Sequence, residues 1–136
     1  MSKIVFYKFI FFLSVFTLTL LSLYPENLIG LIFFGDGSTA PGSDKIHHFL
    51  SYFLTSIFGF LAYSDKKFLK IFLFLLSLGF FLELFQLWIP NRYFELLDIV
   101  ANFSGVLFSF LIFIVLQKKE TCKDNFINYK KNLNHL

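Results

Sequence analysis

The sequence predicts an all-α, polytopic membrane protein with four transmembrane helices, and two observations support this prediction. The first is composition: 57% of the 136 residues are hydrophobic and only 15% are charged, whereas a soluble domain needs a polar surface and is about half apolar. The second is spacing, because a helix needs about 20 apolar residues to cross a bilayer core of ~30 Å. Four segments reach that length, at 4–24, 44–63, 68–89 and 95–116.

The first two segments are separated by a turn-rich stretch. The apolar run after Lys3 is longer than the core of a signal peptide, which has roughly 7–15 residues. No small-residue cleavage site follows it at Leu23-Tyr24-Pro25, so we expect a retained transmembrane helix. The second segment begins at Asp44, directly after residues rich in Gly, Ser and Pro, which are typical of a loop.

The last two segments have clear ends. Pro90 closes the third, because proline cannot continue a helix. The fourth is followed by Gln117 and two lysines. Residues 118–136 are polar and of mixed charge, and we expect this tail to be poorly ordered.

The basic residues predict the orientation. With four spans, the N-terminus, the 64–70 loop and the tail share one side of the membrane, and that side holds ten of the twelve Lys and Arg residues. Only Lys45 and Arg92 fall on the other side. Because cytoplasmic loops carry the excess of Lys and Arg, we predict a multi-pass protein of the cytoplasmic (inner) membrane with both termini in the cytoplasm. The chain then divides into a membrane domain, 1–117, and a polar cytoplasmic tail, 118–136.

Polar side chains recur on one face of each of the last three predicted helices. The pairs that share a face, three or four residues apart, are Asp44 with His48, Glu83 with Gln86, and Asp98 with Asn102. Small and polar residues on one face of a membrane helix mark a helix–helix interface. At 1.5 Å per residue, all of these side chains lie within roughly 10 Å of the same end of their helices. We therefore expect them to meet there.

Glu83 indicates that this meeting point carries chemistry. A charged residue at the centre of a membrane helix costs about 2.5–3.5 kcal/mol on insertion scales, and such residues are rare unless paired or functional. Acid–base groups beside fixed cations suit proton transfer or the binding of an anionic headgroup. The candidate catalytic residues are Asp44, His48, Glu83 and Asp98, and the candidate ligand-binding residues are Lys45, Gln86, Arg92 and Asn102.

Several motifs occur in an order that resembles a known family. They are Asp44-Lys45-x-x-His48 with Tyr52, Glu83-x-x-Gln86, Pro90-x-Arg92, and Asp98-x-x-x-Asn102-x-x-Gly105. Together they resemble the VanZ-like membrane proteins over about residues 44–109, with one departure at Ser109, where many members have a second glycine. The family is named after a member associated with resistance to the glycopeptide teicoplanin.

The resemblance implies a context in the cell envelope. It implies a protein that handles or modifies an envelope lipid or peptidoglycan precursor at the outer leaflet. Its partners would be the lipid bilayer and a lipid-linked precursor or a glycopeptide. Whether a reaction is catalysed stays open, because the alternative is a non-catalytic accessory or binding protein whose polar residues only join helices. A proton-coupled transporter is a third reading, weakened because four helices leave little room for alternating access.

Other classes of site have less support. His48, Glu83 and Asp98 offer three ligands for a metal ion, but the paired histidines of a His-Glu-x-x-His motif are missing, so we predict no metal and no cofactor. No Gly-x-Ser-x-Gly elbow of a serine hydrolase is present. The lysine-rich loops are explained by membrane topology, so we predict no nucleic-acid partner. The sequence specifies no oligomeric state.

Overall fold

The computed structural model describes residues 2–24, 43–63, 67–90 and 92–133, with side chains in the last range up to residue 119. Over these residues the chain forms four α-helices and no β-strand. They are α1 (Lys3–Leu23), α2 (Ser43–Ala62), α3 (Phe68–Gln86) and α4 (Leu96–Leu133). The all-α prediction is confirmed for this part of the chain.

Three of these helices are long and apolar enough to cross a membrane, namely α1, α3 and the Leu96–Lys119 part of α4. The helix α2 has 20 residues, but polar side chains from Asp44 to His48 and again at Thr55 and Ser56 lower its hydropathy. Thr55 and Ser56 are buried inside the bundle, whereas Asp44, Lys45 and His48 are half-buried.

The start of α1 and the end of α3 are both determined by local hydrogen bonds. The Ser2 hydroxyl accepts a hydrogen bond from the Val5 amide at 3.4 Å and caps α1. The helix α3 ends at Gln86, three residues before the predicted limit of 89, because Leu87, Trp88 and Ile89 bond back to carbonyls three residues earlier in a tighter turn.

The helix α4 is longer than expected. We expected 118–136 to be poorly ordered, but the backbone is helical to Leu133, and residues 134–136 lie outside the described part. No Gly or Pro follows Gly105, and Gln, Lys and Glu after residue 116 are strong helix formers. The polar residues after 116 end the predicted membrane span, but the helix continues through them.

The helices alternate in direction around α2, which packs against the other three, while α3 also contacts α1 and α4. Near the start of α1, the Lys8 ammonium lies 5.2 Å from the ring centre of Tyr63 just after α2. The ring centre of Phe68 at the start of α3 lies 5.7 Å from the ring centre of Phe113 in the second half of α4. The starts of α1 and α3 therefore lie at the end of the bundle where α2 finishes. We call this the basic end, because Lys8 and Lys70 lie near it.

The surface of the bundle is apolar, and its interior holds polar side chains beside apolar ones. Large apolar side chains such as Phe9, Phe16 and Leu97 are about 60% exposed, with values of 63%, 60% and 61%. Ser56 and Asn102, by contrast, are among the most deeply buried side chains in the described residues. A soluble protein buries its apolar side chains and exposes polar ones, so this pattern indicates a surface that faces lipid.

Glycine permits the closest helix contact. At Gly105 of α4, a β-carbon would overlap the Phe49 carbonyl oxygen and lie 3.0 Å from the Phe53 amide nitrogen, both in the backbone of α2. The two backbones can approach this closely because neither presents a side chain between them. This contact brings the polar faces of α2 and α4 together near the start of both helices.

Candidate functional site

The polar residues of three helices converge at the end of the bundle opposite the basic end. We call this group the polar cluster: Asp44, Lys45 and His48 of α2, Glu83 of α3, Glu95 just before α4, and Asp98 and Asn102 of α4. It forms because α2 and α4 begin here while α3 finishes here. All four candidate catalytic residues belong to it.

Lys45 occupies the outer part of the polar cluster. Its ammonium nitrogen lies 2.7 Å from Asp44 Oδ2, 2.5 Å from Glu95 Oε2 and 3.5 Å from Asp98 Oδ1. Glu95 is half-exposed and Asp98 is buried. One cation is thus shared among three carboxylates, so Lys45, which we expected to bind a ligand, is already engaged.

Asn102 joins the three helices in the inner part of the polar cluster. Its Nδ2 donates to Glu83 Oε1 at 3.4 Å, and its Oδ1 lies 3.0 Å from His48 Nδ1. A carboxylate can only accept, which places the amide NH₂ towards Glu83 and the amide oxygen towards His48. His48 Nδ1 must then donate, and in the neutral imidazole this leaves Nε2 with a free lone pair.

The inner carboxylates lie close to that imidazole. His48 Nε2 is 3.7 Å from Asp98 Oδ2, and His48 Nδ1 is 3.5 Å from Glu83 Oε1. One donor atom from each of His48, Glu83 and Asp98 falls within a group whose members all lie within 4.8 Å of one another. Two like charges 4 Å apart repel by about 4 kcal/mol at an effective dielectric constant near 20. When both are ionised, the Glu83 and Asp98 carboxylates would therefore be stabilised by a positive charge placed between them.

Glu83 is the most deeply buried acid of the cluster. It is 1% exposed, and its Oε2 has no hydrogen-bond partner among the described residues. Buried polar atoms are bonded in the large majority of cases, and an orphan one requires an explanation. Glu83 thus has one oxygen fixed by Asn102 and one oxygen available.

Gln86 and Arg92 lie beside the polar cluster and bond to α1. Gln86 Nε2 donates to the Ser22 carbonyl at 3.2 Å, and an Arg92 terminal nitrogen donates to the same oxygen at 3.5 Å. Arg92 forms no ion pair with any described carboxylate, and its Nε has no described hydrogen-bond partner. Arg92, a candidate ligand-binding residue, thus lies beside the polar cluster without an ion pair to its carboxylates.

Two members of this arrangement were not among the candidate site residues. Glu95 has the shortest contact to Lys45; helical spacing places it on the same face as Asp98, one turn earlier, but it was not selected for the site. The Ser22 carbonyl is a backbone atom, so no residue type marked it. Tyr52, part of the motif series, is 1% exposed and packs beside Gly79, and its hydroxyl has no described partner.

Comparison with known proteins adds no relative. No protein-family model, no curated protein and no solved structure matches this chain. The resemblance to the VanZ-like proteins therefore rests on the residues of the sequence and stays a prediction.

Proposed function

We propose that this chain is a VanZ-like integral membrane protein that handles the anionic headgroup of a lipid-linked envelope precursor and reduces susceptibility to teicoplanin. In this proposal α2 is a fourth span, both termini lie in the cytoplasm, and the polar cluster faces the outer leaflet of the cytoplasmic membrane. The strong excess of basic residues at the opposite end of the bundle supports this orientation.

The state of Arg92 is the observation that supports headgroup binding most directly. A guanidinium carries five donors and is always charged, yet among the described residues the Arg92 guanidinium makes one hydrogen bond, to a carbonyl at 3.5 Å. Lys45, by contrast, is shared by three carboxylates. Arg92 is thus the cation with donors available for a phosphate or carboxylate, which it can bind through two parallel bonds.

The inner part of the polar cluster would supply acid–base chemistry beside that headgroup. His48 Nε2 has a free lone pair and lies near Asp98, so it can accept a proton and the carboxylate can stabilise the resulting imidazolium. Glu83 offers a second proton acceptor with one oxygen available. These groups lie on helices rather than on loops, which keeps their relative positions fixed.

Glu83→Gln tests the proposal. The protein is expressed in a susceptible Gram-positive host at matched membrane levels, and growth inhibition by teicoplanin and vancomycin is measured. We expect wild-type protein to protect against teicoplanin and Glu83→Gln to lose that protection, because the amide keeps the shape but removes the acid. Glu120→Gln, the same change in the polar tail sequence, is the matched control and should protect as wild type does.

A non-catalytic accessory protein is the second candidate. It is favoured by the Asn102 bridge, which links α2, α3 and α4 through His48 and Glu83 and would serve helix packing even without chemistry. Equal protection by Glu83→Gln and wild type would favour this candidate. Loss of protection by Glu120→Gln as well would show that protection does not depend specifically on the polar cluster.

A further inference from the structure

We propose that His48, Glu83 and Asp98 form a binding site for a divalent transition-metal ion, with Zn²⁺ as the first candidate. The inference rests on the residues of the proposed functional site, and with the ion bound His48 Nε2 and Glu83 would serve as ligands instead of proton acceptors; metal binding is measured directly and does not depend on teicoplanin protection. From the sequence we expected no metal, because the paired histidines of a His-Glu-x-x-His motif are missing.

The ligand set fits such an ion. Zn²⁺ binds His nitrogen and Asp or Glu oxygen, and its catalytic sites have three protein ligands and one open position; His48, Glu83 and Asp98 supply one nitrogen and two carboxylate oxygens. Metal–ligand bonds of about 2.1 Å in a tetrahedral arrangement place donor atoms about 3.4 Å apart, and His48 Nε2 lies 3.7 Å from Asp98 Oδ2. Ca²⁺ takes six to eight oxygen ligands, more than these three side chains supply.

The availability of the ligand atoms is a second, independent observation. Glu83 is 1% exposed, and its Oε2 has no partner among the described residues. His48 Nδ1 lies 3.0 Å from Asn102 Oδ1, and in the tautomer that donates to this oxygen Nε2 carries the lone pair. A histidine that binds a metal usually has its other ring nitrogen bonded in this way. Asn102 is therefore a positioning residue for two of the three ligands.

A neighbouring group of three carboxylates is already paired with a cation, the Lys45 ammonium. Asp44, Glu95 and Asp98 also lie within 4.8 Å of one another, and the Lys45 ammonium lies within 4 Å of all three. The inner group, His48, Glu83 and Asp98, has no ammonium or guanidinium within 4 Å of Glu83 among the described residues. The outer group thus has its cation, whereas in the inner group only Asp98 reaches an ammonium, and Glu83 has none within 4 Å among the described residues.

Charge supports an ion of charge two. The polar cluster and Arg92 together contain four carboxylates, the cations of Lys45 and Arg92, and the imidazole of His48. With the carboxylates ionised and the imidazole neutral, two negative charges remain uncompensated. One Zn²⁺ ion would neutralise them, and it would do so at the point where the buried carboxylates of Glu83 and Asp98 meet.

The test measures bound metal in the full chain, purified in detergent through a tag without histidines. Protein stripped with a chelator is given Zn²⁺, freed of excess metal by gel filtration and analysed by mass spectrometry for metal per chain. We expect about one Zn²⁺ per chain for wild type. His48→Gln and Glu83→Gln should lose the ion, whereas His47→Gln, the adjacent histidine, should retain it.

Two further measurements keep the result independent of folding. Asn102→Ala retains all three ligands and should lower the Zn²⁺ affinity by about 10–100-fold, as loss of a supporting hydrogen bond does. Wild-type protein given Co²⁺ should show the visible absorption of a low-coordinate site, and Zn²⁺ should displace it. Absence of metal from wild type, or equal binding by His47→Gln and His48→Gln, would overturn the proposal.

Discussion

At the scale of single residues, Asp98 links the two parts of the polar cluster. One of its oxygens lies 3.5 Å from the Lys45 ammonium, and the other lies 3.7 Å from His48 Nε2. The first contact shares a cation with Asp44 and Glu95, and the second belongs to the group proposed to bind a metal. A change at Asp98 should therefore affect both parts, whereas a change at Glu95 should affect only the outer one.

In the ion pairs of Lys45, burial of the carboxylate should affect the coupling free energy more than the distance between the charged atoms does. Glu95 is nearer to Lys45, at 2.5 Å, but its side chain is 46% exposed; Asp98 is at 3.5 Å and its side chain is 8% exposed. Exposed pairs contribute about 0.2–1 kcal/mol because water screens them. We expect double-mutant cycles with Lys45→Met to give a smaller coupling free energy for Glu95→Gln than for Asp98→Asn. Unfolding of the purified protein in mixed micelles measures both, and the opposite order would contradict the argument.

The sequence predicted the members of the polar cluster better than their pairings. The shared helix faces of Asp44 with His48 and of Asp98 with Asn102 follow from helical spacing, and the structure brings these residues together. Pairings between helices depend on rotation and depth, which spacing within one helix does not determine. Arg92, for example, was a candidate ligand-binding residue, and no spacing indicated that its guanidinium would bond to the Ser22 carbonyl of α1.

At the scale of helices, the contact between α2 and α4 determines whether the polar cluster forms. Gly105 lies one turn beyond Asn102 on α4 and touches the backbone of α2 at Phe49 and Phe53. Phe49 directly follows His48 in the chain. The distance between these two backbones therefore sets the distance between His48 and Asn102.

Gly105→Leu should separate α2 from α4. The new side chain would meet backbone atoms, which cannot rotate away as side chains can, so the helices must move apart. We expect a lower midpoint of thermal unfolding in detergent and loss of Zn²⁺ binding. Ser104→Leu, on the exposed face of the same turn, is the matched control and should change neither quantity. Equal unfolding midpoints for the two variants would show that this contact does not hold the helices together.

The number and order of helices were predictable, but their ends were less so. Long apolar runs locate the interiors of α1, α3 and α4 because the hydrocarbon core requires them. Helix ends follow backbone hydrogen bonding, and neither Pro90 nor Gln117 marks a residue at which bonding stops: α3 ends at Gln86 and α4 continues to Leu133. The length of an apolar run thus predicts a membrane span, whereas helix propensity determines how far the helix continues beyond that span.

At the scale of the whole molecule, the two ends of the bundle differ in charge and in packing. Lys8 and Lys70 lie near the basic end, where Phe68, Phe72 and Phe110 pack together, with the rings of Phe72 and Phe110 centred 4.5 Å apart. The opposite end holds the polar cluster. Aromatic packing joins α3 to α4 at one end, and hydrogen bonds and ion pairs join α2, α3 and α4 at the other.

Cysteine labelling of intact cells tests the proposed topology. Cys122 is the chain's one cysteine, so Ser2→Cys and Tyr93→Cys can each be examined in a Cys122→Ser background. Tyr93 is 81% exposed near the polar cluster. We expect a membrane-impermeant maleimide to label Tyr93→Cys in intact cells. Ser2→Cys and the native Cys122 should react only after the membrane is made permeable.

The comparison of Ser2 with Cys122 decides whether α2 crosses the membrane. With four spans these two positions lie on the same side, whereas with three spans, from α1, α3 and α4 alone, they lie on opposite sides. Labelling on opposite sides would therefore contradict a transmembrane α2. Labelling of Tyr93→Cys from the cytoplasm alone would place the polar cluster at the inner leaflet, where its donors would meet a cytoplasmic ligand instead of an envelope precursor.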